Sequence, residues 1–189
     1  MKKIDVDKAV ASCSSIRPVM FDRYAGDNET ELKPEEKFYF AKDGKTLVVP
    51  SQNILGMLSS NLYKCATKIK YGRSHGAKSD AVQGFVDIDP VEVTLTKNGK
   101  PIVFKDFKQD GIYVDFSVAR IKKSAGVMVP NPKHRPVIET WGMKFTVTVL
   151  PNDVIDLKAV KELIEIGGLY IGIGTWRGRY GKFVVDSWK

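Results

Sequence analysis

The residues of this sequence that could do chemistry are concentrated in residues 167–183, a glycine-rich segment near the C-terminus. These seventeen residues include six glycines, two arginines, one lysine and four aromatic residues. Glycine at this density costs backbone entropy, so it indicates a backbone that runs close to another group. A phosphate could approach main-chain N–H groups there, while arginines fork onto phosphate oxygens and aromatic rings stack on bases. The segment therefore predicts a nucleic-acid contact. The alternative is a tight turn with Trp176 and Tyr180 in the core and the arginines in solvent.

The glycine pattern matches neither of the common nucleotide-binding loops. A Walker loop ends in Gly-Lys-Ser/Thr, and here Phe183 follows Gly181-Lys182. The dinucleotide fingerprint needs a third glycine where Arg177 stands, and it follows a strand rather than a helix. Nucleotide binding of either kind is therefore not expected.

Basic residues cluster in three parts of this 189-residue chain, whose net charge is +8. Residues 64–78 and 117–138 each carry five bases and no acid, and residues 167–189 carry four bases against one acid. The remainder is acidic, especially residues 22–36. Segregated charge favours a polyanionic partner or a head-to-tail contact between copies, although scattered lysines also serve solubility alone.

The predicted nucleic-acid-binding residues come from the basic and glycine-rich segments. They are Lys64, Lys68, Lys70, Arg73, Arg120, Lys122, Lys123, Lys133, Arg135, Gly172, Gly174, Trp176, Arg177, Arg179, Tyr180 and Lys182.

No catalytic residue, metal ligand or cofactor is predicted. The two histidines, His75 and His134, both lie in basic segments, and Tyr71, Ser74 and Lys78 are close to His75 in sequence. Such groups can move the 2′-hydroxyl proton in metal-free RNA cleavage, which keeps a ribonuclease as a third alternative. The acid pair Asp87 and Asp89 has no histidine partner at a ligand spacing, so a metal site is not expected.

The bulk sequence predicts one cytoplasmic domain without a membrane partner. No apolar run approaches the ~20 residues of a membrane span, and Asp5 stands where a signal peptide would be apolar. Cys13 and Cys65 are far apart in sequence, which predicts neither a disulfide framework nor a zinc site. Residues 71–84, a basic loop, and residues 122–136, an arm or extended hairpin, are predicted to be insertions in the domain 1–189.

The elements that must position these residues follow an α+β pattern. Asp43-Gly44 and Asn98-Gly99 predict two tight hairpins. Residues 4–10 could form a first strand, residues 16–24 an edge strand, and residues 112–121 a further strand. Ser51 is predicted to cap one helix, and Asp153 a second helix that Gly167 stops. The main elements are strands at 46–49, 85–96, 137–149 and 182–186, with helices at 51–70 and 153–166. Their order is βαββαβ, the ferredoxin-like arrangement, here with inserted hairpins.

The glycine-rich segment resembles the loop near the C-terminus of the RAMP superfamily, the ferredoxin-like proteins of CRISPR systems. In that superfamily the loop follows the last helix, as here, and contacts RNA. The helix after Val49-Pro50 is similar to their first helix, with Ser51-Gln52 in place of a glycine–serine pair. The arm at 122–136 lies where the backbone subunits of CRISPR effector complexes carry a thumb hairpin. The resemblance implies a ferredoxin-like core and RNA, rather than DNA, as the ligand.

A second resemblance covers about the C-terminal third. The run from Arg135-Pro136 through Trp141 and Phe145 to residues 171–183 is similar to uncharacterised bacteriophage and prophage proteins that end in a GIG-x-WRP…GRF motif. Gly178 replaces the expected proline. This resemblance implies phage context and carries no catalytic residue.

Together these observations predict a non-catalytic protein that binds single-stranded nucleic acid, with RNA favoured over DNA. Its further partners are expected to be copies of itself or a larger protein complex. The alternative is a phage structural or host-directed protein whose basic surface meets the acidic 22–36 segment of a neighbour.

Overall fold

The computed structural model describes residues 5–27, 29–59, 81–124 and 126–189, with the backbone alone for residues 119–124. The strands are β1 Asp7–Ser15, β2 Val19–Met20, β3 Tyr39–Phe40, β4 Leu47–Pro50, β5 Val86–Asp89, β6 Glu92–Lys97, β7 Lys100–Pro101, β8 Ile112–Ser124, β9 Val127–Ile138, β10 Gly142–Val149 and β11 Phe183–Trp188. The helices are α1 Ser51–Leu58 and α2 Leu157–Tyr170, with a short 3-10 helix at Pro34–Lys37, and residues 81–85 are also helical.

Eight of the described strands form one antiparallel sheet around the pair β1 and β10. These two strands pair from Asp7 opposite Val149 to Ser14 opposite Gly142. β11 lies on the other side of β1, while β5 and β6 pair with opposite ends of β10. β4 and β3 extend the sheet beyond β6. This mixed architecture, with a largely antiparallel sheet and few helices, is compatible with the predicted α+β class.

The sheet forms because its central strands alternate. In β10, the apolar residues Phe145, Val147 and Val149 alternate along the sequence and are buried, and Met143 is buried with them. In β1 the small side chains of Ala9, Ala11 and Cys13 face the core, and serines alternate with them. Burial of Cys13, and secondarily the charge of Asp186, raises the pKa of its thiol to about 12, so the thiol stays protonated. Among the described residues, no helix is long and apolar enough to cross a membrane.

A second sheet has the order β2-β9-β8. β8 and β9 form a long antiparallel hairpin that turns at Gly126, whose φ is +81°. The hairpin starts before the arm predicted at 122–136 and includes the strand predicted at 112–121. The hairpins predicted at Asp43-Gly44 and Asn98-Gly99 are both confirmed as β3–β4 and β6–β7.

The strand predicted at 46–49 is confirmed as β4, but it pairs with β3 and β6 rather than with the central pair. The strand beside β10 is instead β1, which starts later than the predicted strand at 4–10 and runs on to Ser15. The serines of β1 alternate with the buried Ala11 and Cys13, so they continue the strand beyond residue 10.

Two predicted long strands are each divided. Residues 85–96 form β5 and β6, which are separated at the cis peptide bond Asp89–Pro90. The strand predicted from residue 137 to 150 is the end of β9 followed by β10. The break lies at Trp141, which is buried. The Trp141 main-chain N–H donates to Ser15 Oγ and its indole N–H donates to the Arg17 carbonyl, both at 3.0 Å, so neither group takes part in the strand ladder.

Both predicted helix caps are wrong. Helix α1 begins at Ser51 itself, and its N-cap position, Pro50, makes no side-chain hydrogen bond. The predicted extension of this helix over residues 60–70 lies outside the described residues. Helix α2 is capped by Asp156, whose carboxylate accepts from the N–H of Ala159 at 2.7 Å. The N–H groups that follow the predicted cap, Asp153, are those of Val154 and Ile155, and both donate to Asn152 Oδ1 instead.

Helix α2 also runs past the predicted stop at Gly167 and ends at Tyr170. Its glycines allow close packing rather than chain reversal. A methyl group added at Gly168 would lie 2.7 Å from Phe183 Cε2 and 2.8 Å from the Phe183 carbonyl oxygen. The absence of a side chain at this position therefore sets the distance between α2 and β11.

We expect Gly168→Ala to destabilise the fold by about 1–3 kcal/mol, because the added methyl group forces α2 away from β11. The matched control is Gly56→Ala in α1, where the added group would meet Arg177 at an ordinary 3.7 Å. Helix propensity alone should make that control more stable by roughly 0.5–1 kcal/mol. Urea denaturation measures both variants, and an equal or greater stability of Gly168→Ala would contradict the packing argument.

Candidate nucleic-acid interface

Residues 171–182, here called the C-terminal loop, connect α2 to β11 through main-chain contacts with residues 18–20. The N–H of Thr175 donates to the Met20 carbonyl at 2.8 Å, and the N–H of Gly181 donates to the Pro18 carbonyl at 2.7 Å. Within the loop, the N–H of Ile173 donates to Gly181 at 3.0 Å. The loop is thereby held to the start of β2.

Glycine is required in the C-terminal loop because the chain has no room for side chains. A methyl group at Gly174 would lie 2.5 Å from the Met20 carbonyl oxygen, and one at Gly172 would lie 2.6 Å from that of Tyr180. At Gly181 it would overlap the Ile173 carbonyl. All three glycines also have positive φ angles.

The main-chain N–H groups predicted to receive a phosphate already have protein partners. Besides Thr175 and Gly181, the N–H of Gly172 donates to Gly167 at 2.9 Å, and that of Gly178 to Ile171 at 2.6 Å. The N–H of Gly174 donates to Asn53 Oδ1 in α1 at 3.2 Å. Gly172 and Gly174 thus shape the loop, and a phosphate contact has to come from side chains.

Four side chains form an aromatic–arginine cluster at the loop: Trp176, Tyr180, Arg135 and Arg179. The rings of Trp176 and Tyr180 are 6.3 Å apart and inclined by only 18°. The guanidinium carbon of Arg135 lies 5.3 Å from the centre of the Trp176 ring, and that of Arg179 lies 6.0 Å from the centre of the Tyr180 ring. Each arginine is within the range of cation–π attraction.

This cluster is accessible at the surface. Trp176 is 38 % exposed and Arg179 is exposed, so the alternative with both Trp176 and Tyr180 in the core is wrong for Trp176. Arg177 is half-buried, and its Nε lies 3.4 Å from the Gly174 carbonyl. Lys182 is also half-buried. Stacked aromatic rings flanked by guanidinium groups are suited to unpaired bases and phosphates.

Two of the predicted phosphate-binding residues are occupied by ion pairs. Arg135 is buried, and its Nε donates to Asp22 Oδ2 at 2.7 Å. Lys133 pairs with Glu31, and so does the buried Lys37, whose Nζ also lies 3.5 Å from Asp22. Because these carboxylates already neutralise the bases, Lys133 and Arg135 position the hairpin rather than present free charge.

The same ion pairs weaken the alternative in which the acidic residues 22–36 meet the basic surface of a neighbour, because two of these acids already have partners. Asp22 and Glu31 contact bases of their own chain. The hairpin and the 22–37 segment are thus joined within one molecule, and Lys37 Nζ adds a hydrogen bond of 2.9 Å to the His134 carbonyl.

An exposed ring pair on the hairpin is absent from the sequence prediction. Phe116 in β8 is 61 % exposed, and its ring lies 4.9 Å from that of His134 in β9. These two residues are opposite each other in the hairpin register. Only the register reveals the pair, since eighteen positions separate the two residues in the sequence.

The remaining predicted residues are not placed by their side chains. Lys64, Lys68, Lys70 and Arg73 lie outside the described residues, as does His75. For Arg120, Lys122 and Lys123 the structure describes only the backbone, which belongs to β8. The candidate interface is therefore built on the C-terminal loop and the base of the hairpin.

Comparisons with known proteins identify a structural likeness only. No protein-family model matches the chain, and no curated protein sequence does. A chain in the cryo-EM structure of the Type III-B Cmr-beta bound to cognate target RNA is similar, with a TM-score of 0.55 and 12 % sequence identity. The likeness shows the fold alone.

The match covers 97 % of this chain and 60 % of that chain, so the protein spans less than two thirds of its structural neighbour. The likeness supports a RAMP-like fold. It does not reach the RNA contact that the first resemblance also implies. The resemblance to phage proteins is tested by none of these comparisons and stays a prediction.

The ion pairs predict how stability depends on pH. Burial raises the pKa of Glu31, but the hydrogen bonds and charges of Lys133 and Lys37 outweigh it and hold the pKa below its ordinary value. A carboxylate with a lowered folded-state pKa contributes stability above its unfolded pKa and loses it as the pH falls. Stability should therefore decrease as the pH drops below about 4.3, the ordinary pKa of a glutamate.

With Glu31→Gln, the free energy of unfolding should fall less steeply as the pH drops from about 6 to about 3, a range that brackets the ordinary pKa of a glutamate. Urea denaturation at several pH values measures this dependence. The control is Glu29→Gln, which removes the same charge two residues away. Identical pH profiles for the wild type and Glu31→Gln would contradict the ionic linkage at the hairpin base.

Proposed function

We propose that this protein binds single-stranded RNA, without catalysing a reaction, through the aromatic–arginine cluster of the C-terminal loop. The observation that carries the proposal is the stacked pair of Trp176 and Tyr180, with Arg135 and Arg179 over their rings. An unpaired base stacks on the exposed part of Trp176, and Arg179 and Arg177 contact the adjoining phosphates. Lys182 adds positive charge at the end of the loop.

The hairpin carries a second aromatic pair on its other face. Phe116 and His134 lie on the face of the hairpin opposite to Arg135, because successive side chains of a strand point to opposite sides. We propose this pair as a second stacking platform, which a nucleotide chain reaches by crossing the edge of the hairpin. The basic residues 120, 122 and 123 add charge further along β8.

We also propose a ferredoxin-like core, with the strand assignment corrected from the sequence. The order β1-α1-β5-β10-α2-β11 along the chain, with the spatial order β11-β1-β10-β5, supports a split βαβ arrangement. The C-terminal loop then lies between the last helix and the last strand, where RAMP proteins carry their glycine-rich loop. The structural neighbour is a chain of a Cmr-beta structure bound to cognate target RNA, which supports RNA over DNA here.

Alanine at both Arg177 and Arg179 should weaken binding of a single-stranded RNA oligonucleotide about thirtyfold, at roughly 1 kcal/mol per lost charge-assisted contact. It should also reduce the slope of log K against log salt by about 1.4, because each phosphate contact on a single strand contributes about 0.7. Fluorescence anisotropy at several salt concentrations measures both quantities.

The matched control is Lys158→Ala with Lys161→Ala, which removes two charges from α2 outside the cluster. This control should retain the wild-type salt slope to within experimental error. Equal affinity and slope in the arginine double variant and the wild type would remove the C-terminal loop from the binding site.

A further inference from the structure

The two edges of the β8–β9 hairpin differ in their main-chain chemistry. In the hairpin register, Tyr113 is opposite Val137 and Ser117 is opposite Lys133. The N–H of Glu139 donates to the Gly111 carbonyl at 2.9 Å, so Gly111 and Glu139 are a hydrogen-bonded pair. In an antiparallel ladder such pairs recur at every second residue, so the odd-numbered residues of both strands form the hydrogen-bonded pairs. Even-numbered residues of both strands therefore direct their N–H and C=O groups away from the hairpin.

The outer edge of β9 is closed to a further strand. Two hydrogen bonds from outside the hairpin show that the carbonyls of even-numbered residues point to this outer edge. The Phe21 N–H donates to the Pro136 carbonyl at 3.1 Å, and Lys37 Nζ donates to the His134 carbonyl. Pro130, Pro132 and Pro136 all occupy such outward positions. Proline has no N–H, so it removes donors from this edge without losing a bond to β8.

The outer edge of β8 has no such protection. Residues 112–124 contain no proline, and the N–H and C=O groups of Val114, Phe116 and Val118 face outward. Within the described part of the chain, β9 is the strand that pairs with β8, and it occupies the other edge. The side chains of Phe116 and Val118 are 61 % and 52 % exposed. Natural proteins usually block an open edge of this length.

We propose that β8 pairs with β8 of a second copy of this chain, antiparallel and about a two-fold axis. The charge pattern favours a second copy as the occupant. Within β8 itself, Asp115 lies near the start of the strand, whereas Arg120, Lys122 and Lys123 lie near its end with no acid after Asp115. Antiparallel pairing places the acidic start of each strand beside the basic end of the other.

The contact is expected to be weak in solution. An edge-to-edge strand pair buries less than the ~1,200 Å² of a stable interface, so the dimer should form with a Kd at or above about 1 μM. A two-fold contact of this kind closes at two copies and leaves no further edge to extend. The pairing goes beyond the proposed function, since it requires no nucleic acid.

The decisive variant is Val118→Pro, studied by sedimentation velocity over protein concentrations from about 1 to 500 μM, a range chosen around the expected Kd. The N–H at position 118 does not belong to the β8–β9 ladder, because the even-numbered residues of β8 direct their N–H groups away from β9. Proline there removes one outward donor and keeps the hairpin. We expect dimerisation to weaken at least tenfold. Val118→Ala keeps the N–H and should dimerise within about threefold of the wild type.

Amide hydrogen exchange of the wild type provides a second readout if Val118→Pro fails to fold. Exchange at Phe116 and Val118 should slow as the protein concentration rises, while the outward N–H of His134 should be unaffected. A wild-type protein that stays monomeric throughout, or forms species larger than a dimer, would overturn the proposal. So would a dimer that forms without protecting Phe116 and Val118, or a Val118→Pro dimer as tight as that of the wild type.

Discussion

The close approach of the C-terminal loop to residues 18–20 determines the rest of the candidate site. The N–H of Thr175 bonds to Met20, and Met20 pairs in turn with Val137 of β9. This short chain of main-chain contacts joins the loop to the hairpin and leaves room for no side chain at Gly174. These contacts hold the loop against the hairpin, and Trp176 lies within cation–π distance of Arg135.

Electrostatics then decides which basic residues remain available. Arg135 reaches Trp176 only because Asp22 compensates its charge in a buried position, since an unpaired buried guanidinium would be costly. The pairs of Lys37 and Lys133 with Glu31 remove two more charges from solution. The net charge of the chain therefore overstates the positive potential at the hairpin base. At the C-terminal loop, exposed positive charge lies at Arg179 and, in part, at Lys182.

Local signals in the sequence were sufficient where a structure depends on a few neighbouring residues. Asn98-Gly99 has φ angles of 53° and 75° and forms the hairpin that its composition predicts. The side-chain alternation of β10 likewise identified the buried face. The glycine-rich segment was correctly placed between a helix and a strand, but its glycines serve backbone packing instead of phosphate binding. That role depends on Pro18 and Met20, which no local pattern connects to it.

The remaining errors concern pairing between distant residues. Strand β1 is longer than the strand predicted at 4–10, because its serines are the outward half of a regular alternation beside β10. Lys133 and Arg135 are predicted phosphate ligands, but their partners Glu31 and Asp22 lie about one hundred residues away in the sequence. The pairing of Phe116 with His134 likewise depends on the register of the hairpin, which no local pattern in the sequence reveals.

Ultraviolet cross-linking of the protein to a single-stranded RNA oligonucleotide, followed by peptide mapping, tests the central claim most directly. Zero-length cross-links form where an aromatic side chain stacks on a base, so the method reports the stacking residues themselves. The structure predicts cross-links at Trp176 and Tyr180 of the C-terminal loop, with further ones at Phe116. Saturable RNA binding whose cross-links all fall outside these residues, or the absence of RNA binding altogether, would contradict the account.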